Sequence, residues 1–302
     1  LSSLTFIAPS FGIETGQTET GKRVNFDWQH PTGKAMDACA IAFCLAVPFL
    51  LGPASAPAQE KEEPRLVIDS KGHGNTIEEI LFSPDGATLY SMGRDKTVRA
   101  WNAASGALEK TLRLQIGDDF AGAIFSGAIS RDGRYLAVGG RNLPVAEGAA
   151  ASITLLDLRT GKVVAVLPGH AATIVALDFS PDSKLLASGS LDRSVRLWNI
   201  GSLAELAEAD YGASLDSSLV LQGHQSGVYN VRFAAEGDRL LSVSVDGGIV
   251  VWDSSAVRTA IHGGKDFSQI AVAPVAQASA GDRDVYAADF SRDGKRIATG
   301  DE

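Results

Sequence analysis

At 302 residues, with 45% hydrophobic residues and 32 glycines, the chain is long enough to bury a sizeable core from many short elements joined by tight turns. Its formal net charge of -9 excludes a general DNA- or RNA-binding surface, which needs a basic face, and no run of Lys or Arg supplies a local one. The only two cysteines, Cys39 and Cys44, give no disulfide framework and no thiolate metal site.

Residues 1–35 show no sustained hydrophobic period. They are expected to be unstructured, or an upstream extension of a reading frame that starts at Met36. The run Ala38–Gly52, ACAIAFCLAVPFLLG, is shorter than the roughly 20 apolar residues of a membrane-spanning helix and contains Pro48. The small residues of Pro53–Ala58 follow it and match an A-x-A cleavage site, so 36–58 is expected to be a secretory signal. Cleavage implies a secreted or periplasmic protein, and an uncleaved segment implies a membrane anchor. Gln59–Pro64 reads as a charged linker and Arg65–Asp69 as a short strand.

From His73 onward one pattern recurs. His73, Ser91, Asp95 and Trp101 are spaced as His170, Ser188, Asp192 and Trp198 are, and as His224, Ser242, Asp246 and Trp252 are. Within Gly169–Asn199 the apolar runs Ile174–Phe179, Leu185–Ser188 and Val195–Trp198 alternate with period two and are cut by turn signals at Ser180–Ser183 and Leu191–Arg193. That predicts a three-stranded antiparallel meander, which needs neighbours like itself to bury both faces. Two weaker copies follow the same plan. Phe120–Asp157 keeps the turn Ser130–Gly133 but has Phe120 and Val138 at the His and Ser positions and Leu156-Asp157 at the end. Gly281–Glu302 keeps the turn Ser291–Gly294 and then stops before the marker Asp. Between copies, Arg141–Ser152, Gly201–Ser218 and Ser254–Gly281 are long loops, with a short helical turn expected at Leu203–Ala209.

The pairs Gly72-His73, Gly169-His170 and Gly223-His224, with Trp101-Asn102, Trp198-Asn199 and Trp252-Asp253, resemble those of WD40 repeat proteins, here of a bacterial type. The resemblance covers roughly 65–302. It implies an all-β WD40 β-propeller with about four and a half blades, near 73–112, 120–166, 170–221, 224–275 and an incomplete 281–302. It further implies a fragment of a larger ring of about seven blades, in which the Arg65–Asp69 strand helps to close the ring. A fifth blade without a third strand would leave an open sheet edge.

His, Ser and Asp together would suit a hydrolase, but the set occurs three times with Trp attached, and a catalytic site needs one copy. The resemblance implies instead a buried chain of hydrogen bonds in each blade, Trp to Ser to His to Asp. It also implies partner contacts three and five residues after the His and one before the Asp. Carried onto this chain these are Thr76, Glu78 and Arg94, then Thr173, Val175 and Leu191, then Gly227, Tyr229 and Val245, with Asp284, Tyr286 and Glu302 in the partial blade and Phe125 in the divergent one. Phe125, Val175, Leu191, Tyr229, Val245 and Tyr286 would form an apolar and aromatic arc at the channel mouth, set against the alternative that they are simply core. His30 and His262 have no ligand partner at close spacing, and Asp118-Asp119 lacks a calcium-loop pattern, so no metal and no cofactor are expected. The reading favoured is a non-catalytic scaffold for other proteins or peptides, with no nucleic acid, no membrane contact beyond the signal segment, and a monomeric full-length state. The alternatives are a regulatory or sensing propeller of an enzyme whose catalytic domain lies beyond Glu302, and a propeller that itself catalyses through a metal or cofactor in its channel.

Overall fold

The computed structural model describes residues 72–114, 122–141, 151–201, 218–262, 270–280 and 284–301, together with strands at Leu4–Ser10, Gly12–Thr15 and Ala213–Ser214. The segments expected as signal (36–58), linker (59–64), ring-closing strand (Arg65–Asp69) and helical turn (Leu203–Ala209) lie outside the described residues.

In chain order, β1 (Leu4–Ser10) and β2 (Gly12–Thr15) come first. Blade 1 is β3–β6: Ile77–Phe82, Thr88–Gly93, Thr97–Asn102 and Leu108–Arg113. Blade 2 is β7–β10: Ala123–Ile129, Tyr135–Arg141, Ala151–Asp157 and Lys162–His170. Blade 3 is β11 (Ile174–Phe179), β12 (Leu185–Ser190), β13 (Ser194–Asn199) and β15 (Ser218–Gln222), with β14 (Ala213–Ser214) added in parallel to β10 of blade 2. Blade 4 is β16–β19: Val228–Phe233, Arg239–Ser244, Gly248–Asp253 and Pro274–Ser279. Blade 5 begins with β20 (Val285–Phe290) and β21 (Ile297–Asp301). Each of the first four blades is a meander of antiparallel neighbours, and the predicted meander of blade 3 is found in the predicted order.

The first hairpin of a blade is set by a short local code. In Ser83–Gly86, Ser130–Gly133, Ser180–Ser183 and Ser291–Gly294 the serine hydroxyl donates to the aspartate two residues on, at 2.6 Å each time. The fourth residue takes a positive φ, which Gly86, Gly133 and Gly294 accept freely and Ser183 adopts at 59°. A side chain that folds back on its own turn fixes the hairpin register before any blade packs.

Packing then joins blade to blade through the inner strands, β3 to β7, β7 to β11, β11 to β16 and β16 to β20. Leu177 and Phe179 pack back on blade 2, while Ala176 faces the cluster shared with Val231 and Phe233 of blade 4. Fully burying a Leu or Phe contributes about 1.5–3 kcal/mol, so each interface is the main stabilising term for the sheets beside it. Blade 1 shows what an uncovered interface looks like. Ile80 and Phe82 occupy the same repeat positions as Leu177 and Phe179 and as Val231 and Phe233. Their exposures are 51% and 62%, against 3% and 2%, and 0% and 8%. The assembly is a partial propeller whose first blade lacks a neighbour on that side among the described residues.

Two expectations are corrected. Residues 1–35 are not wholly unstructured, because β1 pairs antiparallel with β21, from Leu4 opposite Gly300 to Ile7 opposite Ile297, and β2 pairs with β1. The third-strand place of blade 5 is therefore occupied, and the open edge expected there is covered. The physical reason is that unpaired N–H and C=O groups along β21 favour any extended segment within reach. A chain starting at Gln59 lacks β1 and β2, so it is expected to be less stable than the full chain and to self-associate. Sedimentation velocity that finds it monomeric, with an unchanged urea midpoint, would refute that.

The sequence reading also missed helix α1 (Ser255–His262), which lies in the loop after β18. The Asp253 carboxylate accepts from Ser255 N at 2.9 Å, Arg258 N bonds to Ser254 O, and Val257 is fully buried in the interface between blades 3 and 4. Blade 4 extends to Ser279, beyond the boundary expected near 275.

Candidate partner-binding face and the networks beneath it

In blades 1 and 3 the four marker residues form one continuous chain. Trp101 Nε1 donates to Ser91 Oγ at 2.8 Å, and Ser91 Oγ lies 2.7 Å from His73 Nε2. His73 Nδ1 then lies 2.8 Å from Asp95 Oδ2. The matching distances in blade 3 are 2.9, 2.8 and 2.8 Å through Trp198, Ser188, His170 and Asp192. Two links extend the chain. The aspartate accepts from a loop N–H, Gly74 at 3.1 Å and Ala171 at 2.9 Å, and from a hydroxyl two residues on, Thr97 at 2.8 Å and Ser194 at 2.6 Å. An arginine stands beside it: Arg99 is 3.9 Å from Asp95, and Arg196 donates to Ser218 at 2.7 Å while acting on Asp192 through its charge. The Thr or Ser and the Arg escaped the sequence reading. A position-by-position overlay of the repeats would have found them.

Electrostatics follow from this geometry. Burial would raise the Asp95 and Asp192 carboxyls, but the hydrogen bonds from His73 and Thr97, and from His170 and Ser194, outweigh it and hold both below the usual carboxylate range. Burial pushes His170 down, against the opposing pull of Asp192.

Blade 4 departs from the expected tetrad. Trp252 Nε1 donates to Ser242 Oγ at 2.8 Å and His224 Nε2 lies 2.6 Å from that oxygen, but His224 Nδ1 has no partner among the described residues. Asp246 instead accepts from Ser244 Oγ and from Gly248 N. The cause lies in the sequence: Gly248 and Val250 replace the hydroxyl and the arginine that hold the aspartate over the histidine elsewhere. In blade 2, Phe120 lies outside the described residues. Val138 is buried and Leu156, in the Trp position, is 1% exposed, so apolar packing stands where the network would be.

The residues expected to meet a partner gather above these networks. The residue before the marker aspartate donates its N–H to the carbonyl three residues after the histidine in all three blades: Arg94 to Thr76 at 3.0 Å, Leu191 to Thr173 at 3.0 Å and Val245 to Gly227 at 3.1 Å. Two groups result. Arg94 pairs with Glu78 and lies over the Phe125 ring, 5.2 Å from its centre. Leu191 packs over Gly227 beside Tyr229, which meets Tyr286 edge to face at 5.7 Å, and Tyr286 donates to Asp284 at 3.2 Å. Val175 is half-buried on β11. None of Thr76, Glu78, Arg94, Phe125, Thr173, Val175, Leu191, Tyr229, Val245 and Tyr286 is fully buried, and Leu191 is 38% exposed. Glu302 lies outside the described residues. No group of three or more His, Cys, Asp or Glu side chains among the described residues is arranged to hold a metal ion.

Comparison with known proteins matches residues 64–102, 161–199 and 215–253 to the family described as WD domain, G-beta repeat. These three segments are similar to that repeat, and the matches end with the third strands of the three blades that hold the Trp markers. The Periodic tryptophan protein 2 homolog of Dictyostelium discoideum is 26% identical over 63% of the chain and 23% of its own length. Nuclear distribution protein PAC1 of Coccidioides posadasii is 28% identical over 61% of the chain and 40% of its own length. WD repeat and FYVE domain-containing protein 1 of Mus musculus is 30% identical over 62% of the chain and 40% of its own length. The matched part of the chain thus spans 23% to 40% of these relatives' length. All three are eukaryotic, so the expectation of a bacterial type gains no support from them.

Proposed function

We propose that the protein is a non-catalytic scaffold that captures other proteins or peptides on the face carrying the tight turns between second and third strands. The observation that carries this reading is the Leu191, Tyr229 and Tyr286 cluster. These are large apolar and aromatic side chains, Tyr229 and Tyr286 at matching repeat positions and Leu191 before a marker aspartate, that remain partly exposed although the His170 and Ser188 side chains beneath are fully buried. The Glu78–Arg94 pair at the rim sets orientation more than affinity. Once a partner has been identified by pull-down, Tyr229→Ala and Leu191→Asp are expected to weaken its capture by about 2 kcal/mol each without lowering the thermal midpoint. Capture that survives both changes removes this face from consideration.

The exposed Ile80 and Phe82 support a larger ring, of about seven blades, in which a further blade covers β3. A second functional reading, a regulatory propeller within a larger enzyme, is favoured by the small share of the relatives that the chain spans and by the additional domain in the name of one of them. Reading the gene beyond Glu302 separates the two. Secretion through the 36–58 segment, and a monomeric full-length state, are parts of the same proposal. The first is tested by amino-terminal sequencing of the mature protein and the second by light scattering.

A further inference from the structure

The broken network of blade 4 borders a polar pocket of about 200 Å³ that opens to solvent, lined by Gly223, His224, Asp246, Gly248, Val250 and Gln277 among others. Its origin is a double deletion relative to the sister blades. Val250 stands where Arg99 and Arg196 stand, and Gly248 where Thr97 and Ser194 stand. In blade 3 the Arg196 guanidinium lies against the Gly169 loop, with Nη1 2.8 Å from where a Cβ on that glycine would be. At the corresponding Gly223 the nearest atoms are Trp252, at 3.0 Å, and the Gln277 side chain, at 4.0 Å. A Cβ on Gly248 would stand 3.1 Å from Asp246 Oδ1 and 3.6 Å from His224 Nδ1, so both polar groups border the emptied space. The cavity is shaped by the absence of a guanidinium and a hydroxyl.

Its lining holds two acceptors close together. His224 is 8% exposed, and its Nδ1 is buried without a partner among the described residues. Val250 O lies 3.5 Å from the Ser242 hydroxyl and can take its proton; in the tautomer this permits, His224 Nε2–H donates to Ser242 and Nδ1 presents a lone pair. Burial pushes the His224 imidazole down to about 4, so the ring stays neutral near pH 7 and does not repel a cation. Only Oδ1 of Asp246 is engaged among the described residues, by Ser244 and Gly248; Oδ2 is not. The Gln277 side chain, directly across from Val250 on β19, borders the same space, with its amide Nε2 toward the Gly223 loop. A buried acceptor without a donor, as His224 Nδ1 is in that tautomer, costs about 1–3 kcal/mol, and a planar cation with several N–H groups can satisfy it while pairing with the exposed Asp246 carboxylate.

We propose that this cavity is a guanidinium site, which receives an arginine side chain of a partner protein in the place that Arg99 and Arg196 fill from within their own blades. The incoming N–H groups donate to the Asp246 carboxylate and to His224 Nδ1. The site is distinct from the Leu191–Tyr229–Tyr286 cluster and does not depend on that cluster binding anything.

The test uses the full chain and two small probes, agmatine and N-acetylarginine methylamide, followed by the ring-nitrogen signals of His224 and by calorimetry. Both probes are expected to shift the His224 signals saturably, and N-acetyllysine methylamide to bind at least tenfold more weakly. Val250→Arg refills the cavity from inside and is expected to abolish binding while keeping or raising the thermal midpoint. Asp246→Asn, at an exposed position, keeps the fold and is expected to weaken binding at least tenfold. Tyr229→Ala is expected to leave probe binding unchanged. No saturable shift up to about 10 mM agmatine, a concentration that detects even a weak ion pair, overturns the proposal. So does equal binding by the lysine probe or by folded Asp246→Asn.

Discussion

Trp198→Ala is expected to cost about 3–5 kcal/mol, the range for a large aromatic removed from a packed core. Trp198 is fully buried between blades 2 and 3, and its Nε1 donates to Ser188, which is itself fully buried. The change leaves a cavity and also removes the donor at the head of the Ser188–His170–Asp192 chain. Asp192→Ala, at the other end, is expected to cost about 1–3 kcal/mol, because His170 Nδ1, Ala171 N and the Ser194 hydroxyl lose their acceptor together. Asp246→Ala is the internal control. Its His224 link is already absent, so the loss is limited to the Ser244 and Gly248 contacts and is expected to stay under about 1 kcal/mol. Urea midpoints of the three variants at one pH measure the ordering. If Asp192→Ala and Asp246→Ala cost the same, the difference between the two networks has no energetic content.

The blades were legible in the sequence because the same residue types carry both register and turn. β11 begins and ends at the residues where alternation does, and the Ser-x-Asp turn shows in the sequence every hydrogen bond that it makes in the structure. Three things were not legible. Among the described side chains of helix α1, Val257 and Ala260 are its buried anchors, and eight residues are too few for a helical period to stand out from a polar loop. The pairing of β1 with β21 joins the two ends of the chain, and no local pattern encodes a partner so far away. The loss of the His224–Asp246 link was hidden because all four marker residues are present. What differs is two neighbours, Gly248 and Val250, whose roles emerge only when the sister blades show what Thr97, Ser194, Arg99 and Arg196 touch.

Between pH 8 and pH 5 buried groups pull stability in opposite directions, and Glu79→Gln is expected to change its slope. Burial pushes the Glu79 carboxyl up to about 7, against the opposing charge of Arg232 and a backbone hydrogen bond from Ile80. A carboxyl raised on folding favours the protonated native state. Its contribution is present below the ordinary value near 4.5 and is lost as pH rises through 7, a change on the order of 3 kcal/mol. His224 runs the other way. Burial holds it near 4, so the native state prefers the neutral ring. Stability is then full above the ordinary value of 6.5 and is lost as pH falls from there toward 4, also on the order of 3 kcal/mol. His170 adds to the His224 slope, since burial lowers it too. The depressed Asp95 and Asp192 carboxyls contribute only below the ordinary carboxylate range, outside this window. Glu79→Gln removes the opposing term. At pH 8 the variant is expected to be more stable than the parent by about 1–3 kcal/mol, since no buried carboxylate remains to be ionised, and at pH 5 the two should nearly coincide. Urea titrations of both proteins at these two pH values decide it. Parallel profiles would mean that Glu79 titrates as a solvated carboxyl, and that the inner strand of blade 1 is wetter than its packing against blade 2 implies.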